Sequence, residues 1–572
     1  MKFQKTRFRT LRTLELQQLE KRELFAADSG LAGSLPGGSG SSLPGLYSSN
    51  PGTKVPAPFW RKTEGVPSAA PVWYQNIGPV TREVFYNPSL TPAQNGAALK
   101  SALTTLPAGS RVVIHAGTYS VDSYFVITAQ GTASKPVVVE AAPGEKVTIT
   151  RKDALQNVVN VDNSQYFLMR NLEITSGDTG LKLQTVSNFM LYNSNIHHVA
   201  NNGIAANSKN TSSLYFVDNE ISYTGGNGEG FYLGSNDGLY KTNNTYVVGN
   251  YLHHLANGTA AQGDGIEIKD GSYANVVKYN FVDGTKYPGI TVYRTGRGTA
   301  DRNVIEENVV INSIDAGIQV TADAVVRNNL VIGKSTAFVS KPYTTNPVNM
   351  VVANNTFLGS ATAVKLTNWN TTDLAFANNA IHSPTGQFYS SGGTGRAVAV
   401  GNINVTNLAT TFSSLRLDGS ALNARPIAGS VVIAKASSNY LPSGDLNGDT
   451  RATGLDAGAV DYTGDLTVSR LGLAKSQRAS VAPLTGGPAV GSPINSITTA
   501  NTASNLQTFR SSNTATLPLA SSPAIHSQRA SAQNHSSGPR VNSNGTEASD
   551  EKIDRLRSQL LVEIVDSSRS LN

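Results

Sequence analysis

Through the middle of the chain, apolar and polar residues alternate in short phrases. No stretch there carries the three-to-four-residue spacing of a long amphipathic helix. Each phrase holds an asparagine: DNEIS, GNYLH, YNFVD, ENVVI, NNLVI, NNTFL, NNAIH and GNINV contain Asn219, Asn250, Asn280, Asn308, Asn329, Asn355, Asn379 and Asn402, at spacings of 31, 30, 28, 21, 26, 24 and 23 residues. In all but the last, an apolar residue stands two places after the Asn. Self-similarity at a period of roughly 20–50 residues marks stacked supersecondary units, and units of strand and turn alone predict a parallel β-helix. Turns between its strands call for residues that tolerate the left-handed backbone, which Asn and Gly do most readily. Asn side chains stacked about 4.8 Å apart can also donate from each amide to the next carbonyl, so the column is expected to be scaffold.

A second phrase runs in step with the first. Gly180, Gly203, Gly230, Gly265, Gly289 and Gly317 each precede an alternating triplet. If Leu181, Ile204, Phe231, Ile266, Ile290 and Ile318 point inward, the period of two sends Lys182, Ala205, Tyr232, Glu267, Thr291 and Gln319 outward. These outward residues are expected to form one exposed face.

Upstream, Thr91-Pro92 supplies an N-cap and a proline for the first helical position, and Ala98, Leu99, Ala102, Leu103 and Leu106 form an apolar stripe. A short N-terminal helix is therefore expected to cap the open end of the solenoid, where a bare strand edge would template aggregation. The organisation expected is an N-terminal export segment over 1–28, a Gly/Ser/Pro-rich linker over 29–70, a β-helix over 71–465, a disordered Ser/Thr/Ala/Asn-rich tail over 466–548, and a short amphipathic helix over 549–572. In that last helix Ile553, Leu556, Leu560 and Ile564 share a face; the helix is shorter than one stable alone, so docking on a partner, self-association and marginal helicity all stay open.

Composition narrows the class. The chain has 572 residues, no Cys and a net charge of +7, which excludes disulfides and thiolate metal sites. Lys and Arg are scattered without the basic and aromatic stripe of a nucleic-acid groove, so no nucleic-acid partner is expected. No apolar run reaches the roughly 18 residues of a transmembrane helix. The N-terminus lacks the apolar core of a conventional signal peptide. Leu19-Glu20-Lys21-Arg22-Glu23-Leu24-Phe25-Ala26 nevertheless resembles the Leu-Glu-x-Arg-x-Leu segments that open many large secreted and surface proteins of bacteria, which implies an extracellular or cell-surface location.

The run from Ala98 through AGSRVVIHAGTY, GTASKPVVVEAAPGEKVTI and the Asn-bearing coils resembles secreted right-handed parallel β-helix proteins of the pectate-lyase-like superfold, over roughly residues 80 to 465. The resemblance implies an all-β, single-stranded right-handed solenoid. Asp445, Gly448, Arg451, Asp456, Gly458 and Ala459 likewise resemble the closing segment of many β-helix proteins. Asp445, Asn447, Asp449 and Asp456 also follow the spacing of a calcium loop, but Thr450 stands where that loop needs Gly, so structural closure is the reading preferred.

Chemistry is expected where the outward face carries groups that packing does not require. Across GNGEGFYLGSNDG, QGDGIEIKDGS and KYPGITVYRTGRG, Glu229 should stand above Asp264, Tyr232 above Glu267, and Lys269 beside Tyr293. β-Elimination on an acidic polysaccharide needs neutralisation of a carboxylate, a base, and a proton donor for the leaving oxygen. Glu229, Asp264 and Glu267 are candidate calcium ligands, Lys269 the candidate base, and Arg294 the candidate donor. Tyr232, Tyr293, Arg297 and Lys182 are candidate substrate contacts. Part of this stretch resembles the chondroitinase B and alginate lyase family: Glu267 heads EIKDGSYANVVKYN, and Gly289-Ile-Thr-Val-Tyr-Arg294-Thr-Gly296 reproduces that family's Gly and Arg spacing. Thr295 replaces the family's His, and Lys269 follows Glu267 at a shorter interval.

Paired aspartates with Gly-His-Gly, and Asp-Pro-His, are absent, which argues against polygalacturonase and epimerase chemistry. His197-His198 and His253-His254 occupy equivalent places, which could suggest a metal, but the reading preferred is that one His of each pair packs inside or at the corner of the repeat. Two functions follow: a calcium-assisted polysaccharide lyase, or a non-catalytic glycan-binding or structural β-helix of the cell surface.

Overall fold

The computed structural model describes residues 69–255, 260–392, 396–448, 450–451 and 454–462. The expected export segment, nearly all of the linker, the tail, the terminal helix and Asp449 lie outside them. The described chain is a parallel β-solenoid whose coils each contribute strands to three walls. Tyr232 pairs Glu267, which pairs Thr291 and then Gln319, on the first wall. Val247, Val277 and Ile305 run in register on the second, and Leu252, Val282, Val310 and Val331 on the third. The third wall is a continuous sheet of 12 strands. The first two walls join into one 24-stranded sheet, because strands such as Val159–Arg170 and Leu181–Tyr192 run through the corner between them.

Inward aromatic residues from successive strands touch across the core, although they do not share one register position. Phe167, Phe189, Phe216 and Phe231 follow one another with ring centroids 5.6, 6.4 and 5.2 Å apart, and all four are fully buried. The Asn column does as expected. Asn250 Nδ2 donates to Asn280 Oδ1 at 2.9 Å, and Asn280 Nδ2 to Asn308 Oδ1 at 3.0 Å. Each amide also donates to a carbonyl one coil back, and each Oδ1 accepts the backbone N–H of the preceding Asn. The left-handed residue at this corner is the one before the ladder Asn: Asp218, Gly249, Tyr279, Glu307, Asn328, Asn354 and Asn378 have φ between 53° and 71°.

Glycine in the second column answers to space. A Cβ on Gly265 would stand 2.3 Å from the Gly289 carbonyl oxygen and 2.8 Å from Val282 Cγ1. Gly180, Gly203, Gly230, Gly289 and Gly317 meet the same two kinds of neighbour, so coils approach too closely there for any side chain.

The capping helix α1 spans Pro92–Leu103, with Thr91 and Gln94 forming a reciprocal capping box. Its buried face differs from the expected stripe: Ala98 is exposed and Ala102 half-buried, while Asn95, Gly96, Leu99 and Leu103 face the core. Gly96 is required because a Cβ would fall 1.9 Å from the Ser120 carbonyl oxygen.

The last coil ends at the strand Ile403–Val405. The chain then folds back along the outside, laying Phe412, Leu415, Leu422, Val432, Leu446, Ala457 and Ala459 over the outer apolar residues of the third wall. The left-handed Asn residues hold this strap: Asn328 Nδ2 donates to Gly444 O, Asn354 Nδ2 to Asp456 O, and Asn378 Nδ2 to Ser437 O. Buried Arg451 donates to Asn328 Oδ1 and to the carbonyls of Asp456 and Gly458. Arg451, Asp456 and Gly458 thus fasten the strap to the side of the solenoid.

Candidate catalytic and metal site

Gly230, Gly265 and Gly289 set the register from which the site is built. The Gly230 N–H donates to Asp264 O, so Glu229 lies over Asp264, and Tyr232 pairs directly with Glu267. Carboxylate oxygens of Glu229, Asp264 and Glu267 all lie within 4.8 Å of one another. Asp264 Oδ1 accepts from Thr291 Oγ1 at 2.6 Å. Lys269 Nζ is 2.5 Å from Glu267 Oε1, with the Tyr232 ring centroid at 4.5 Å and that of Tyr293 at 5.4 Å. The Tyr293 hydroxyl reaches the same Glu267 oxygen at 3.4 Å.

The expected exposed face is corrected. Ala205, Tyr232, Glu267, Thr291 and Gln319 are buried and Lys182 is half-buried. Glu229 and Glu267 are 0% exposed and Lys269 is 2% exposed. Long side chains in adjacent coils lean on one another, and Tyr343, from a loop two coils on, packs its ring 4.8 Å from that of Tyr293. Burying like charges is unfavourable without compensation, which here includes the ammonium, the Thr291 hydroxyl and the Tyr293 phenol.

Five of the nine candidate residues meet in this cluster together with one flanking ring: the triad, Lys269 and Tyr232, with Tyr293 alongside. Three lie apart. Arg294 is partly exposed and faces Asp270 at 3.8 Å, although its carbonyl accepts the N–H of Gly271, two residues after Lys269. Burial raises the Asp270 carboxyl above its ordinary range, and Arg294 and Lys241 oppose that rise. Arg297 pairs with Asp301 at 2.6 Å and covers the Tyr273 ring. Lys182 donates to Asn207 Oδ1 at 2.5 Å; it lies three strands from Glu267, about 14 Å at the usual strand spacing.

Thr291 and Tyr343 also belong to the site. Thr291 was legible as an outward residue, but its bond to Asp264 depends on rotamer. Tyr343 arrives on a loop 50 positions beyond Tyr293, with no periodic signal to announce it. One histidine of each pair, His198 and His254, occupies the corner as expected, while His197 and buried His253 meet Glu173 and Glu220, each at 3.1 Å.

Buried, convergent carboxylates are the donor set of a hard divalent cation such as calcium, and Glu229, Asp264 and Glu267 each bring one carboxylate oxygen to the cluster. The donor chemistry of the triad therefore fits the ion expected from the sequence.

Residues 145–303 match the model of a family described as right handed beta helix region. Over 105 residues the chain is 28% identical to pectate lyase PEL9 of Emericella nidulans, a match that spans 16% of this chain and 26% of that protein. Among solved structures, an alginate lyase from Paenibacillus sp. str. FPU-7 is 18% identical, with 47% of this chain and 98% of that one covered and a TM-score of 0.34. Pectate lyase Pel9A is 17% identical, with 68% and 98% covered and a TM-score of 0.41. In fold the described chain is a right-handed parallel β-helix. No helix among the described residues is long and apolar enough to cross a membrane.

Proposed function

We propose that this β-helix is an extracellular or cell-surface polysaccharide lyase, cleaving an acidic polysaccharide by calcium-assisted β-elimination. The observation that carries the reading is the meeting of three carboxylates with one lysine amine on adjoining coils of the first wall. The reaction removes the proton at C5 of a uronate, forms the C4=C5 double bond with that electron pair, and expels the glycosidic oxygen from C4, which takes up a proton.

Glu229, Asp264 and Glu267 would hold the cation. When bound, calcium supplies positive charge that draws the uronate carboxylate and acidifies its C5 proton. Lys269 would lose its ammonium proton to solvent under the charge of the bound cation, and the resulting amine, lying over the rings of Tyr232 and Tyr293, would then take the C5 proton. Arg294, kept near the end of the Lys269 strand by Asp270, donates to the leaving oxygen. Arg297 and Lys182, which lie outside the cluster, serve as distal contacts for carboxylates along the polymer.

One observation favours a second reading, a non-catalytic glycan-binding or structural β-helix: Lys269 already neutralises Glu267 within the wall. Incubation of the purified chain with alginate, pectate and chondroitin, with and without calcium, separates the two. Growth of the ultraviolet absorbance of unsaturated uronate with one polymer in calcium is the result expected. A flat trace with all three overturns the lyase.

A further inference from the structure

Away from the acidic cluster, the corner that follows the third wall carries a column of rings. Strand register sets His198 beside Tyr223 and Tyr223 beside His254. Their ring centroids are 4.6 and 4.9 Å apart at interplanar angles of 23° and 18°. All three residues hold the left-handed backbone, with φ of 52°, 54° and 56°. That conformation costs a non-glycine residue roughly 1–2 kcal/mol, least for Asn and Asp. Elsewhere in the same column it falls to Ser176, Gly284 and Asn312, of which Gly and Asn suit the backbone better than a ring does. Backbone geometry therefore does not explain rings at these three places, and stacking offsets only part of the cost.

The histidines are also oriented beyond what stacking needs. Glu220 faces His253 Nε2 at 3.1 Å, and His253 Nδ1 lies 2.6 Å from His254 Nδ1. An ionised carboxylate only accepts, so His253 Nε2 carries a proton; in neutral His253, Nδ1 then accepts from His254 Nδ1–H. This assignment leaves Nε2 of His254 as a hydrogen-bond acceptor. Glu173, His197 and His198 repeat the arrangement, at 3.1 and 2.8 Å, one coil on the other side of Tyr223. His198 and His254 are exposed, and Tyr223 is partly so. Beyond His254 the next residue of the column is Gly284, which has no side chain to continue the stack of rings.

Ring surfaces that attract C–H groups, flanked by neutral acceptors for O–H donors, match a sugar ring. We propose that the His198–Tyr223–His254 column is a second saccharide-contact surface, taking the hydroxyl-bearing ring of a polysaccharide chain outside the acidic cluster. The assignment rests on the polysaccharide reading above. Tyr223 is only six positions before Glu229 in sequence, so one polymer can touch both places.

The test is affinity electrophoresis of the full chain through gels containing alginate, pectate or chondroitin, comparing wild type with the double variant Tyr223→Asn/His254→Asn. Asn suits the left-handed backbone, so the variant keeps its fold, and an unchanged melting temperature verifies this. A second variant, Glu220→Gln, keeps both rings and removes only the carboxylate that sets the tautomers. The expected result is retardation of wild type by at least one polymer, a loss of fivefold or more in the double variant, and a smaller loss in Glu220→Gln. Equal retardation of wild type and the double variant overturns the assignment, as does a wild type that no polymer retards. Neither outcome bears on the lyase, whose unsaturated product is measured separately.

Discussion

Replacing Asn280 by Ala tests whether the Asn ladder holds the coils together. Asn280 Oδ1 accepts from the backbone N–H and from Nδ2 of Asn250, and its own Nδ2 donates to Val247 O and Asn308 Oδ1. Without it, Asn250 Nδ2 keeps Phe216 O, but the Asn250 backbone N–H loses the ladder acceptor in a fully buried position. An orphaned buried donor costs about 1–3 kcal/mol, and the remaining lost bonds add about 1 kcal/mol each. With three such bonds the sum is about 4–6 kcal/mol. Asn402, at the end of the column, supplies the same acceptor to Asn379 but is only half-buried, so water can replace it and Asn402→Ala should cost about 1–2 kcal/mol. Denaturant unfolding followed by circular dichroism gives both values, and hydrogen exchange at the Asn250 amide locates the first. If Asn280→Ala costs no more than Asn402→Ala, the ladder is not the buried, water-excluded network described above.

Gly265→Ala should be more damaging than its one methyl suggests, by about 3 kcal/mol or more, because neither the Gly289 carbonyl nor Val282 can yield; soluble yield and melting temperature report it, and a wild-type melting temperature would refute the close-approach account. Calorimetric titration should detect calcium binding to the full chain and at least a tenfold loss of affinity in Asp264→Asn; equal affinity in the two would remove the triad as the site. His254 is exposed as a residue, but partial burial of its ring against Tyr223, with His253 alongside, lowers its imidazole to about 4. The unfolded chain therefore binds this proton over roughly pH 6.5 to 4 while the fold does not, so stability falls as pH drops through that window, and no penalty from this group remains above it. Asp315, which burial raises to about 6, acts with the opposite sign. The comparison is thus wild type against His254→Asn, whose stability should decline less over the same window; parallel curves would contradict the shift.

Much of the fold was legible because its two columns are chemically uniform. Asn at one position and Gly at another gave the coil register, and from it the pairing of Glu229 with Asp264 and Tyr232 with Glu267. The left-handed corner was not legible, since Asp218, Tyr279, Glu307 and Asn328 share a backbone conformation and no side-chain type. Burial of the outward face was missed for a related reason. Alternation tells which side of a strand a residue takes, whereas cover comes from elsewhere: Tyr343 over Tyr293, and the 408–462 strap over the third wall. In α1 the same blindness exchanged Ala98 for Gly96, because hydrophobicity does not reveal where only a glycine fits. Arg294 and Arg297 could be aligned by spacing, but the choice of Asp270 and Asp301 as partners depends on loop geometry beyond the strands.

The central claim is that Lys269 removes the proton in a β-elimination. On whichever acidic polymer the wild type cleaves in calcium, the rate of unsaturated-uronate formation by Lys269→Ala decides it. Loss of a positioned base should slow that rate by about 10²–10⁴-fold while circular dichroism and the melting temperature report an intact solenoid. A folded Lys269→Ala chain that cleaves at the wild-type rate would contradict the account.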